Sequence, residues 1–284
     1  MFISVTGSRF SDNLGVGLYV LPPACDGYEP KNDLPDLLTV KRTLFEGQGL
    51  MAIQTRGGNA LIEDSEFRMN SNGFHPSANQ ECDAYFYSGQ GATGENDTGH
   101  DWDCYVAGGI SVDKTMGSHG TLRIVNSKFI DNSSKDFGGA INVRGSMKCE
   151  ESGYYRYQEG CDRLVNGPLN SGAVADYDVD IIGSTFEGNR AHRGAAISVG
   201  RIAIAWNSFQ LGNVRIRDSR FIGNKGVWGS APEGWAGVHE DTETSIIVTG
   251  GDLNIESTVF EGNSADIPLH VKGALTCDDS CDGI

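Results

Sequence analysis

The chain has 284 residues with 39 glycines and only 8 prolines, long enough to bury a core and without a low-complexity linker. It holds no apolar run of the roughly 18 residues that a membrane-spanning helix needs. Its formal charge of −16 opposes nucleic acid and anionic membrane as partners, because like charges repel at long range, and the acidic balance suits an extracellular or calcium-rich medium as well as plain solubility.

Read in chain order, one phrase keeps returning. Its copies are ISVTGSRFSDN from Ile3, LTVKRTLFEGQ from Leu38, ALIEDSEFRMN from Ala60, LRIVNSKFIDN from Leu122, VDIIGSTFEGN from Val179, VRIRDSRFIGN from Val214 and LNIESTVFEGN from Leu253. The frame is apolar, any, apolar, a short polar stretch, Phe, any two, then Asn or once Gln. A second phrase, a small-residue pair leading into an apolar alternation, follows as GGISV at Gly108, GGAINV at Gly138 and GAAISV at Gly194, more loosely as LMAIQT at Leu50. Each unit therefore predicts two or three strands of three to five residues, with Gly, Asn or Asp at the bends and no helical stripe.

The closest copies, at Phe45 and Phe67, lie 22 residues apart. A unit this short cannot bury an apolar face alone, whereas stacked units bury a continuous core and pair every strand with its neighbours. The expected fold is all-β, a right-handed parallel β-helix of about 22-residue coils, formed by residues 1–284 as a single domain. Insertions are expected at about 21–36, 73–106, 144–175 and 226–243. The sequence opens inside a repeat and closes in GALT, which resembles the start of another strand, so a longer parent chain is expected.

Stacking assigns roles to columns. At roughly 4.8 Å per rung, Phe10, Phe45, Phe67, Phe129, Phe186, Phe221 and Phe260 form one internal stack. Asn13, Asn70, Asn132, Asn189, Asn224 and Asn263 form an amide ladder, each bonding the next and its own turn backbone. Sugar binding by these Asn is the competing reading. Ser65, Ser127, Ser184, Ser219 and Thr258 form a similar column at the strand ends.

The F-x-x-N and GG[AI] phrases, best seen in FIDN at Phe129 with GGAI at Gly138 and in FEGN at Phe186 with GAAI at Gly194, resemble the repeats of chlamydial polymorphic outer membrane proteins, carried on autotransported adhesins. They also look like the pectin-lyase-like superfamily of right-handed β-helices. The first resemblance implies a cell-surface, adhesin-like module. The second implies an enzyme that cleaves or epimerises acidic polysaccharide with Asp clusters, often calcium, and an Arg or Lys base.

The cysteines fall in pairs within excursions from the coil: Cys82 with Cys104, Cys149 with Cys161, Cys277 with Cys281, leaving Cys25 over. Three local disulfides in an oxidising compartment are expected, against reduced thiols in a cytosolic protein; no spacing suits zinc. Of the two N-x-S/T sequons, Asn96 in an acidic loop is the expected glycosylation site and Asn132 belongs to the ladder. Asp97, Asp101 and Asp103 are within reach of one calcium ion, which favours oxygen ligands, or are a solvated acidic loop. Asp176, Asp178 and Asp180 share one strand face, with Arg123 and Arg215 in the column of Asp180, giving either an ionic ladder or an acid–base site. The turn histidine His119 lacks the motif around it that a polygalacturonase-like site would need, and His75, His100, His192, His239 and His270 show no partner pattern.

Aromatic residues crowd the insertions. Tyr85, Tyr87, Trp102, Tyr155, Trp228 and Trp235 offer rigid contact area to sugar rings or protein partners, or fold their loops back onto the coil. Two functions follow: an extracellular or cell-surface binding module for glycan or protein, without catalysis, or a polysaccharide lyase, hydrolase or epimerase.

Overall fold

The structure, a computed structural model, describes residues 2–20, 38–56, 59–72, 108–113, 120–134, 137–143, 177–199, 212–227, 244–271 and 273–279. Among them every strand pairing is parallel and no α-helix occurs. The strands stack into four sheets. Sheet A has eight: Ile3–Thr6, Leu38–Lys41, Ala60–Glu63, Gly120–Val125, Tyr177–Ile182, Val214–Arg217, Leu253–Glu256 and Leu275–Cys277. Sheet B has seven: Arg9–Ser11, Leu44–Glu46, Glu66–Arg68, Lys128–Ile130, Thr185–Glu187, Arg220–Ile222 and Val259–Glu261. Sheet C has seven: Leu18–Val20, Ile53–Arg56, Ile110–Asp113, Ile141–Val143, Ile197–Val199, Ile247–Thr249 and Leu269–Val271. The short sheet D has Ser71–Asn72, Ser133–Ser134, Arg190–Ala191 and Lys225–Gly226.

The chain runs from A to B, through D where it exists, to C and back to A, and each circuit lies on the one before. This is an all-β solenoid of stacked parallel strands, the arrangement of a parallel β-helix. Register follows the repeated phrase: Phe45 pairs with Phe67 and Phe129 with Phe186. Sheet D adds a fourth strand of two residues to the units expected to hold two or three. Its last strand ends at Gly226, and Val227 donates its amide to the Ala191 carbonyl. The closing GALT does start a strand, with Leu275 paired to Leu253.

Alternation builds the core. In sheet A the pairs Leu38/Val40, Leu122/Ile124, Val179/Ile181 and Val214/Ile216 point inward and are buried, as are Ile53, Ile110, Ile141, Ile197 and Ile247 of sheet C. Seven Phe rings stack through the middle with centroids 4.7–5.0 Å apart and planes within 13°. That spacing is the rung repeat itself, so the ring column and the hydrogen-bonded ladders of sheet B enforce the same register. Burying one Phe contributes roughly 1.5–3 kcal/mol.

Two polar columns bracket the Phe stack. In the amide ladder, Asn132 Nδ2 donates forward to Asn189 Oδ1 at 3.0 Å and back to the Phe67 carbonyl at 2.9 Å, while its backbone N–H also donates to Asn189 Oδ1. Asn70, Asn189 and Asn224 repeat the pattern and are fully buried. The second donor thus reaches the Phe carbonyl of the preceding coil, where the sequence reading had it stay within its own turn. Gln48 departs from the pattern. Its longer side chain accepts from Asn13 but donates to the Phe10 and Glu46 carbonyls, so only its backbone N–H meets Asn70 Oδ1. In the hydroxyl column each Oγ donates to the carbonyl two residues earlier and accepts the backbone N–H of the hydroxyl residue in the preceding coil, as when Ser127 N–H donates to Ser184 Oγ at 3.1 Å. Ser8 and Thr43 extend it beyond the members expected.

The residue before each ladder member is left-handed. Gly7, Arg42, Asp64, Asn126, Gly183, Asp218 and Ser257 precede the hydroxyls, and Asp12, Gly47, Met69, Asp131, Gly188, Gly223 and Gly262 precede the amides, with φ from 48° to 66°. Gly, Asn and Asp take this conformation at least cost, which explains the bends read from the sequence. In the small-residue pair Gly138 and Gly194 are left-handed too, at φ 61° and 63°, and close packing adds a second cause. A Cβ on Gly139 would collide with the Ala195 carbonyl of the next coil, and one on Gly109 with that of Ala140.

Candidate binding face

Sheet A carries the charges that the sequence put in one column. Its register aligns Arg123, Asp180 and Arg215. The ion pairs, however, are Arg123 Nε to Asp180 Oδ2 at 3.6 Å and Arg217 Nη2 to Asp180 Oδ1 at 3.7 Å, while Arg215 Nη2 turns to Asp178 Oδ2 at 3.6 Å. Asn213 Nδ2 also donates to Asp178 Oδ1. The Arg–Asp–Arg ladder therefore runs through Arg217, because a side chain leaning along its strand reaches the diagonal neighbour. Lys41–Glu63 and the Arg9–Glu46–Arg68 chain on sheet B repeat the device. All are partly exposed, so each pair is worth roughly 0.2–1 kcal/mol.

Sheet C is built differently. The middle position of its strands, in register, reads Tyr19, Gln54, Ser111, Asn142, Ser198, Val248 and His270. No member of this column is an acid, Lys or Arg. Tyr19 is 45% exposed, yet Gln54, Ser111, Asn142 and Ser198 retain only 6%, 0%, 3% and 1%. Asn142 Nδ2 is buried without a hydrogen-bond partner, a state that costs roughly 1–3 kcal/mol. The sequence held the signal in plain form: a polar residue between two inward β-branched ones, as in Ile110-Ser111-Val112, Ile141-Asn142-Val143 and Ile197-Ser198-Val199.

Topology singles out the same sheet. In the chain, the segments 21–37, 114–119, 144–176 and 200–211 follow strands of sheet C and precede strands of sheet A, and 73–107 and 228–243 precede strands of sheet C. Just after the last, Thr244 N–H and Oγ1 both donate to Asp266 Oδ2, at 3.1 and 3.0 Å. These bonds hold the Asp266 carboxyl below the ordinary carboxylate range; the nearby charge of His192 acts in the same direction and desolvation against it. His192 and Arg193, both over nine-tenths buried, lie at this corner, with Arg193 stacked over Phe137.

Several expectations lie outside the described residues: Asp97, Asp101 and Asp103; Tyr85, Tyr87, Trp102, Tyr155, Trp228 and Trp235; Asn96; Cys25, Cys82, Cys104, Cys149, Cys161 and Cys281; Asp176 and His119. Cys277 is on the last strand of sheet A. Among the described residues no group of His, Cys, Asp or Glu could hold a metal ion, and no helix is long and apolar enough to cross a membrane. Compared with known proteins, the chain matches no family model, no curated protein and no solved structure.

Proposed function

We propose that the protein is an extracellular or cell-surface binding module, an adhesin-like right-handed β-helix whose ligand is a glycan or a protein surface. The observation that carries this reading is where the non-repeating segments enter the sequence. Six of them adjoin strands of sheet C in the chain, and three of these bear the aromatics Tyr85, Tyr87, Trp102, Tyr155, Trp228 and Trp235. Loops positioned by a rigid scaffold are where binding residues concentrate. The right hand follows the general rule for crossovers between parallel strands, and the F-x-x-N and GG[AI] phrases support kinship with the chlamydial and pectin-lyase-like repeats.

Engagement of Arg123, Arg217 and Asp180 with one another favours binding over acid–base work on sheet A. A cell-surface or secreted setting fits the paired loop cysteines and the acidic surface. The test is a paired screen of the full chain: glycan and protein arrays on one side, uronate polysaccharides monitored for unsaturated products on the other. Both are run with and without calcium, for which Asp97, Asp101 and Asp103 are the proposed ligands. Saturable binding without turnover is expected. Turnover of a uronate polymer would replace the module with a lyase.

A further inference from the structure

We propose that the exposed corner between sheets B and D, on the coils of Phe129, Phe186 and Phe221, is a docking site for a sulfated glycan, with Arg190 and Lys225 holding one sulfate ester between them. This rests on the binding reading above and adds both its place and its ligand class.

The first argument is charge left without a counter-charge. The outer row of sheet D, in register, reads Ser71, Ser133, Arg190 and Lys225, and a single bridge extends it to Ser264. Arg190 and Lys225 are therefore one rung apart, roughly 4.8 Å, and like charges directly opposite each other destabilise a sheet. On sheet B of the same coils Lys128 and Arg220 stand two rungs apart with Thr185 between them. All four cations are exposed, and among the described residues none of them enters an ion pair. Elsewhere the coil gives its cations a carboxylate, as at Arg9, Lys41, Arg68, Arg123, Arg215 and Arg217. At this corner the register sets two cations against each other instead, and an anion from outside the coil is the partner they lack.

The second argument fixes the anion. The planar guanidinium of Arg190 can donate to two oxygens at once, and Lys225 then needs an acceptor of its own. A sulfate ester has three terminal oxygens and serves both; a carboxylate has two, which the Arg190 fork alone engages. The row continues in hydroxyls on either side, with Ser133 Oγ donating to Ser71 Oγ at 3.2 Å on one and Ser264 on the other. Hydroxyls both donate to and accept from the oxygens of a sugar chain, so a glycan lying along the row meets a polar partner at every rung.

The third argument sets local charge against total charge. The stretches Lys128 to Ser134, Thr185 to Ala191 and Arg220 to Gly226 hold four cations and two acids, Asp131 and Glu187, which is a net charge of +2. The chain's −16 repels a polyanion at long range. At physiological salt, however, charges further than about 8 Å are largely screened, so a docked sulfate responds to the corner and not to the chain as a whole. The corner is also open, whereas the middle row of sheet C is sealed.

The experiment is calorimetric titration of the full chain, at about 0.15 M salt, with dextran sulfate oligosaccharide, uncharged dextran, oligogalacturonate and polyglutamate. It is repeated on Arg190→Ser, Lys225→Ser and the double variant, and on Arg42→Asn, which removes one exposed cation from a left-handed turn outside the corner and puts there a residue that suits the turn. The expected result is dextran sulfate binding that weakens about tenfold in each corner variant and less than about twofold in Arg42→Asn, with urea midpoints that hold or rise because a like-charge contact is gone. Unchanged affinity in the folded double variant overturns the corner, and equal losses in Arg42→Asn and the corner variants reduce the binding to unspecific ion exchange and overturn it too. Oligogalacturonate or uncharged dextran bound as tightly as dextran sulfate overturns the sulfate class, and polyglutamate bound in place of dextran sulfate overturns the glycan. In each of these cases a ligand found on the glycan and protein arrays still sustains the module; no ligand in titration or array overturns both.

Discussion

Removing one amide from the ladder should destabilise the protein about as much as removing a ring from the Phe stack. Asn189 is fully buried and accepts two hydrogen bonds on Oδ1, from the backbone N–H and the Nδ2 of Asn132, while its own Nδ2 donates to the Phe129 carbonyl and to Asn224 Oδ1. Asn189→Ala leaves two donors of Asn132 buried without acceptors. Each orphaned group costs roughly 1–3 kcal/mol, and the loss at the two acceptors adds to that, so about 2–6 kcal/mol is expected. Counting a single ladder bond, at about 1 kcal/mol, would be too low, because the ladder is shared and one deletion strands its neighbour. Phe129→Ala should cost roughly 3–5 kcal/mol through the cavity left in the stack. Urea unfolding of both variants gives the comparison, provided the slope m is unchanged. An Asn189→Ala loss below about 1 kcal/mol would mean that water replaces the amide and that the column is not sealed.

Gln48→Asn should change stability by less than about 1 kcal/mol, since Asn would trade the bond to the Glu46 carbonyl for one to Asn70 Oδ1 and keep the one to the Phe10 carbonyl; a larger loss in the same urea assay would contradict the ladder geometry. Met69, half exposed at φ 52°, is strained in a conformation that costs a non-glycine residue roughly 1–2 kcal/mol, so Met69→Gly should be neutral to stabilising despite the entropy of glycine; a shift of the urea midpoint to lower concentration would count against it. The Asp266 carboxyl has a folded pKa below its unfolded one, so its contribution is present above the ordinary Asp value of about 3.9 and is lost as pH falls through the folded value. Asp266→Asn should flatten that part of the pH–stability curve, and an unchanged acid limb would remove Asp266 from it. Non-reducing peptide mapping of secreted material should find Cys82–Cys104, Cys149–Cys161 and Cys277–Cys281 bonded and sugar on Asn96 but not on Asn132, whose amide hydrogens are both engaged; seven free thiols or a glycosylated Asn132 would contradict compartment and ladder respectively.

The coil was legible because its forces are local and repeated. Phe, Asn and Ser recur at fixed offsets from one another inside each unit, so a misaligned copy would break the stack, the ladder and the hydroxyl column together. Spacing between units did not have to be constant, since Phe67, Phe129 and Phe186 pair in register although unequal numbers of residues separate them. What escaped the sequence depends on a second coil. Arg215 and Arg217 alternate with the same polarity along one strand, and only the position of Asp178 beside Asp180 on the neighbouring strand decides which Arg meets which carboxylate. Sheet D was likewise invisible, because two-residue strands such as Arg190–Ala191 carry no alternation to read.

The buried row of the candidate face escaped for a related reason. Asn142 sits one residue beyond the GGA phrase and matches the outward polar slot of any half-exposed strand, so alternation alone makes it solvent-facing. Its burial appears only when Gln54, Ser111 and Ser198 fall into the same column and are closed off with it. A repeat fold thus hides its specialised surface inside its regularity. The rows that stabilise the coil must be the same in every unit, and function is to be sought where one row keeps its register while its chemistry ceases to serve the coil. The Asn ladder and the Asn142 column make that contrast within one chain: the same side chain is fully bonded in the first and holds an unused donor in the second.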